Sequence, residues 1–180
     1  MPATRFRTVS LAAGFVLALA SCGGGGGVDA KAYVRSVCTA TTDWQKDIQE
    51  RTVALAGSLD PKATLPIQKQ ALVDLLGGLV QATDAYADKV DKAGVPDVDG
   101  GEDAAAKLVE ALERIAKAFR TAHDQAGSLP TDSKDAFQQA ADAIGKTVNS
   151  SVTGIEDPFK DSTELNTIAG QDPACKAIQG

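Results

Sequence analysis

Apolar residues recur every seven positions along four long segments of this chain. The segments cover about residues 30–56, 66–93, 102–126 and 133–155. The second is the most regular, because Leu72, Leu79 and Tyr86 repeat along one line of its surface. No segment shows strand alternation, and helices of roughly 20 to 30 residues joined by short connections favour an antiparallel bundle. The sequence therefore predicts an all-α fold: an antiparallel four-helix bundle over residues 30–180, with a C-terminal tail from Asp157 onward that is irregular apart from a short turn of helix.

The first 22 residues have the organisation of a secretory signal. Arg5 and Arg7 form a positively charged start, and the apolar run 9–20 follows them. That run is too short to cross a bilayer, which needs roughly 20 apolar residues. It ends in Leu19-Ala20-Ser21-Cys22, and five glycines, 23–27, come next. These four residues resemble the lipobox of bacterial lipoproteins.

The lipobox resemblance implies a membrane anchor. In that family the cysteine thiol, here that of Cys22, receives a diacylglycerol, and the chain is cleaved just before it. The implied organisation is a signal peptide over 1–21, a lipidated cysteine with a glycine-rich tether over 22–29, and a domain at the extracytoplasmic face of the cell membrane. The alternative is an ordinary cleaved signal with Cys22 as an incidental thiol. The whole chain also resembles, diffusely, the small secreted or lipoprotein-like helical proteins of actinobacteria. This resemblance includes no motif from which a function could be transferred.

Two cysteines remain once Cys22 is assigned to the lipid. Cys38 and Cys175 are then an even pair in an oxidising compartment, which predicts a disulfide bond. The alternative is two unpaired buried thiols. In an up-down-up-down bundle the first helix begins at the end where the fourth finishes, so the tail carrying Cys175 can fold back to Cys38. The disulfide and the topology are mutually consistent.

The charge and the motifs argue against several functions. The chain carries a net charge of −6, and removing residues 1–21, with two arginines and no acid, leaves −8. An acidic domain is poorly suited to bind nucleic acid. The acidic stretch 97–103 lacks an EF-hand's sixth-position glycine and twelfth-position glutamate, since Glu102 and Leu108 stand there. His123 is the single histidine, and no hydrolase or phosphate-binding motif occurs. We expect no enzyme activity, no metal and no cofactor.

Gly77-Gly78 is the most unusual feature inside a predicted helix. Each glycine costs on the order of 1 kcal/mol relative to alanine. One interpretation is a bend or the close approach of a neighbouring helix. The other is a gap that admits an apolar ligand, to which Trp44, Tyr33 and Tyr86 could contribute if they are not simply core or boundary residues.

Two functions are compatible with these observations. The first is a membrane-anchored, non-enzymatic interaction or accessory protein of the cell envelope, with an envelope protein as partner. The second is a carrier for a small apolar ligand held between the helices. An internal apolar cavity larger than about 300 Å³ favours the carrier, because ligand pockets usually start near that size, whereas a densely packed core favours the first function.

Overall fold

The computed structural model describes residues 27–58, 62–152 and 157–178, and all of its regular secondary structure is helical. Four long helices are followed by two short ones. They are α1 (Ala30–Ser58), α2 (Leu65–Ala93), α3 (Gly101–Gly127), α4 (Lys134–Val152), α5 (Thr163–Gln171) and α6 (Pro173–Lys176). The predicted all-α class is confirmed, and the four long helices begin within one residue of the predicted positions.

Contacts between α1 and α2 show that the two helices run in opposite directions. Lys89 of α2 pairs with Asp43 of α1 at 2.7 Å. Two to three turns away, the guanidinium of Arg51 on α1 lies against Gly78 of α2. Later residues of α1 therefore meet earlier residues of α2, which is the antiparallel arrangement.

Helices α2 and α3 also run in opposite directions. Asp84 of α2 pairs with Arg120 of α3, and Gly77 faces the imidazole of His123. Earlier residues of α2 therefore meet later residues of α3. The buried side chains come mainly from α1, α2 and α3, with Val34, Val37 and Ile115 almost fully excluded from solvent. The core is consequently built around these three helices.

The N-terminal residues of the described chain are held against the loop between α2 and α3. The backbone N–H of Val28 donates to the carbonyl of Val95 at 2.7 Å, and the N–H of Asp97 donates to the carbonyl of Val28 at 2.9 Å. Gly27 packs so closely that a side chain there would collide with the Val95 carbonyl oxygen. Residues 27–29, which the sequence assigned to the tether, are therefore packed against the folded domain.

The C-terminal segment is more regular than the sequence predicted. Instead of an irregular tail, it forms α5 and α6. The Ser162 hydroxyl accepts from the N–H of Leu165 and starts α5, and the Asp172 carboxylate accepts from the N–H of Ala174 and starts α6. Both helices are too short to carry a heptad pattern, so their signal lies in these capping residues.

Asp172 also links the C-terminal segment to α1. Its carboxylate is almost entirely buried and lies 3.2 Å from the guanidinium nitrogen Nε of Arg35. The Ala174 N–H, together with Arg35, lowers the pKa of Asp172. The predicted disulfide bond between Cys38 and Cys175 is confirmed, and it ties α6 to α1.

Candidate functional site

An apolar cavity of about 480 Å³ lies between α1, α3 and the C-terminal segment. It is partly open to solvent. Most of its wall consists of aliphatic and aromatic side chains. They include Val37 and Trp44 from α1, Tyr86 from α2, Leu108, Leu112 and Ile115 from α3, Val152 from α4, and Phe159, Ala169 and Ile178 from the C-terminal segment.

The cavity results from the way in which the bundle closes. In a closed four-helix bundle, the fourth helix packs against both the third and the first. Within the described residues, α4 packs along α3 and makes no comparable contact with α1, whereas α5 and α6 pack on α1. The space between these two sets is lined by Val152 at the end of α4 on one side and by Asn166 and Ala169 of α5 on the other.

Two stacked aromatic rings form one part of the wall. The rings of Trp44 and Tyr86 are 5.3 Å apart between centroids and 24° from parallel. The indole N–H of Trp44 donates to the hydroxyl of Thr83 at 3.2 Å, and Thr83 is fully buried and donates onward to the carbonyl of Leu79. The polar edge of Trp44 is thus satisfied within the protein, which leaves its ring available for apolar contact.

A pair of hydroxyl groups belongs to the same wall. The Thr41 and Tyr86 oxygens are 2.6 Å apart, and the Thr41 hydroxyl also donates to the carbonyl of Val37 at 2.9 Å. Burial raises the pKa of Tyr86, so its phenol is neutral at physiological pH. The pair therefore provides neutral hydrogen-bonding groups in an otherwise apolar surface.

Charged groups are scarce around the cavity. Among the described residues that line it, none is a lysine, arginine or histidine, and Asp157 is the single carboxylate. The Asp157 side chain is exposed and accepts a hydrogen bond from the N–H of Phe159 at 2.9 Å. The wall consequently carries no positive charge to balance an anion.

Gly77 and Gly78 lie away from this cavity. A methyl group added at Gly77 would meet the imidazole of His123 at 3.5 Å, and one at Gly78 would collide with the guanidinium of Arg51. Neither glycine is among the lining residues of the cavity. The contacts at both glycines are close approaches of side chains from α1 and α3, as the first of the two interpretations has it.

The aromatic candidates divide into two groups. Trp44 and Tyr86 line the cavity, whereas Tyr33 lies behind its wall, with its ring edge-on to Phe159 at 6.4 Å between centroids. Tyr33 is 1% exposed, and its hydroxyl has no hydrogen-bond partner. Burial, with the neighbouring Tyr86 acting in the same direction, raises the pKa of Tyr33 to about 12.

Among the cysteines, Cys38 and Cys175 are bonded to each other and both line the cavity. Cys22 and the predicted signal peptide lie outside the described residues. Sequence reasoning missed the contribution of the C-terminal segment, namely Phe159, Asn166 and Ile178. The Asp172-Pro173 start of α6 is the local signal that could have indicated an ordered segment able to contribute to the cavity wall.

Neither a metal site nor a membrane span is found in the part of the chain that the structure describes. No group of three or more His, Cys, Asp or Glu side chains there could hold a metal ion. None of the described helices is both long enough and apolar enough to cross a membrane. Comparison of the chain with protein-family models, with curated proteins and with solved structures gives no match.

Proposed function

We propose that this protein is a lipid-anchored, extracytoplasmic binding protein for a small apolar molecule, which it holds in the cavity between α1, α3 and the C-terminal segment. The observation that carries the proposal is the cavity itself. Its volume of about 480 Å³ falls within the range of roughly 300–1,000 Å³ typical of ligand sites, and its wall is largely apolar with a few polar groups.

The cavity favours this function over that of an accessory protein acting through its surface. An interaction protein needs no such cavity, and a wall of leucine, isoleucine and phenylalanine that faces a solvent-accessible space carries an unfavourable hydration free energy. The stacked Trp44 and Tyr86 rings supply a flat, rigid contact surface at little cost in side-chain entropy. A bound apolar molecule would restore the dispersion contacts that the empty wall lacks.

The proposed anchor would keep the cavity near the bilayer. If Cys22 carries the lipid, four residues separate it from Gly27, and the five residue steps between them reach at most about 17 Å. Val37 and Gln45 line the cavity about 10 and 22 Å along α1 from its start. The ligand would therefore be held within on the order of 40 Å of the membrane, close to a source of apolar molecules.

Native mass spectrometry of the mature protein, extracted gently from its own envelope, tests the proposal. We expect the mass of a lipid on Cys22 and, on part of the protein, the mass of a co-purifying apolar molecule. Ala169→Phe, which fills the cavity from α5, should lose that molecule. Ala85→Phe adds the same ring at an exposed position of α2 and should retain it.

Two results would overturn parts of the proposal. Protein that carries no small molecule and takes up none of the probes described below would remove the carrier function and favour the surface-acting alternative. Unmodified Cys22, or a Cys22→Ala variant that stays in the membrane fraction, would remove the lipid anchor.

A further inference from the structure

The polar groups of the cavity wall restrict the ligand chemistry. This inference rests on the proposed function, because it concerns the molecule that the cavity holds. The first restriction is on the net charge of the ligand. A carboxylate or phosphate buried in an apolar site without a partner is strongly disfavoured. No cationic side chain belongs to the described wall, and its one carboxylate, Asp157, would repel an anion.

In the hydroxyl pair of Thr41 and Tyr86, the donor and the acceptor can be assigned. Thr41 has one hydroxyl proton, and the carbonyl of Val37, 2.9 Å away, can only accept it. Tyr86 therefore donates its own proton to the Thr41 oxygen across the 2.6 Å contact. The phenolic oxygen is left with free lone pairs and no proton to offer. Because Tyr86 belongs to the cavity wall and its hydroxyl can only accept, it favours a ligand that donates.

The rest of the wall favours an apolar body. Trp44 uses its N–H on Thr83, and the surrounding contacts come mainly from aliphatic side chains of α1 and α3. We propose that the ligand is an uncharged lipid alcohol: an apolar molecule with a hydroxyl group that donates to the oxygen of Tyr86. The same wall disfavours anionic amphiphiles such as fatty acids, because its polar side chains include the neutral amides of Gln45 and Asn166 but no cation.

Trp44 provides the readout for a test, because it is the only tryptophan in the chain and lines the cavity. Its fluorescence can be titrated with three probes of nearly equal size: decan-1-ol, 1-methoxynonane and decanoate. The ether keeps the oxygen of the alcohol and loses the proton. We expect the alcohol to bind about fivefold more tightly than the ether, which corresponds to one hydrogen bond. Ionised decanoate should bind more weakly than both.

Two variants test whether the hydroxyl pair causes the preference for the alcohol over the ether. Tyr86→Phe removes the acceptor and should reduce the ratio of alcohol to ether affinity to about one, without weakening the ether. Thr41→Val keeps the shape of residue 41 but frees the Tyr86 proton, which can then be donated to either oxygen. This variant should tighten ether binding and also bring the ratio close to one. Each ratio is measured within one variant, so a general loss of stability does not alter it.

The outcomes separate this inference from the function on which it rests. Equal affinity for alcohol and ether in the unaltered protein, or decanoate binding as tightly as the alcohol, would contradict the lipid alcohol while leaving a carrier of another specificity. A co-purifying molecule with an acidic group would do the same. An empty protein whose Trp44 fluorescence responds to no probe would contradict the carrier function itself.

Discussion

Cys38 and Cys175 are 137 residues apart in the sequence and are bonded to each other in the wall of the cavity. The bond joins the third turn of α1 to α6, and the buried Asp172 carboxylate beside Arg35 supports the same junction. The C-terminal segment contributes Phe159, Asn166 and Ile178 to the wall. Its attachment to α1 is therefore part of what defines the cavity.

Loss of this disulfide should destabilise the protein substantially. We expect the Cys38→Ala/Cys175→Ala variant to lose about 2–5 kcal/mol of unfolding free energy, because the open loop gives the unfolded chain more freedom. Urea denaturation followed by circular dichroism measures the difference. Reductant should lower the stability of the unaltered protein and leave the double variant unchanged. Equal stability of the oxidised protein and the double variant would contradict the prediction.

The two glycines of α2 should respond differently to substitution. Gly77→Ala places its methyl at an ordinary contact distance of 3.5 Å from His123, so the gain in helix propensity should stabilise the fold by about 0.5–1 kcal/mol. Gly78→Leu must displace Arg51, including its Cδ atom, and should cost about 1–3 kcal/mol as overpacking. Urea midpoints of the two variants give the comparison. A destabilising Gly77→Ala would show that the His123 contact does not tolerate the methyl.

Gly78→Ala is the intermediate case. Its methyl collides with the far end of the Arg51 side chain, which is flexible and can swing away. That movement gives up the Arg51–Asp47 pair, worth about 0.3–0.5 kcal/mol on a helix surface. We therefore expect a smaller gain than for Gly77→Ala. A larger gain would indicate that the ion pair survives the substitution.

The two tyrosines should change stability in opposite directions. Tyr33→Phe removes a buried hydroxyl without a partner and should raise the unfolding free energy by about 1 kcal/mol. Tyr86→Phe removes the hydrogen bond to Thr41 and should lower it by about 1 kcal/mol. The substitutions are chemically identical, so each serves as the control for the other. The same sign for both would refute this assignment of the two hydroxyls.

Ionisation of the tyrosines should couple to unfolding at high pH. Tyr33 and Tyr86 are the only tyrosines in the chain, and burial raises the pKa of each above the ordinary value of 10.0. The unfolded chain releases these protons first, so stability is fully present below pH 10 and falls as the pH rises toward about 12, the folded pKa of Tyr33. Near-ultraviolet absorbance should detect little tyrosinate at pH 10 in the native protein. Half-ionised tyrosine at pH 10 with native circular dichroism would contradict the burial of the phenols.

The sequence by itself predicted the four long helices and favoured the pairing of the two cysteines. Each long helix could be predicted because its apolar residues repeat along its own surface, as Leu72, Leu79 and Tyr86 do on α2. This periodicity is a local property of the sequence. The pairing of Cys38 with Cys175 followed from elimination and from the direction of the helices. Helices α5 and α6 were missed because nine and four residues are too few for a repeat.

Only the tertiary structure decided where the cavity lies. One of the two interpretations of Gly77 and Gly78 was a ligand gap and the other a close approach, and in the structure His123 lies close to Gly77 and Arg51 close to Gly78. The cavity instead follows from α4 packing along α3 while α5 and α6 pack on α1. That choice depends on the distances between elements far apart in the chain. A periodic pattern shows which face of each helix is apolar, but the space left between those faces is set by which helices pack together.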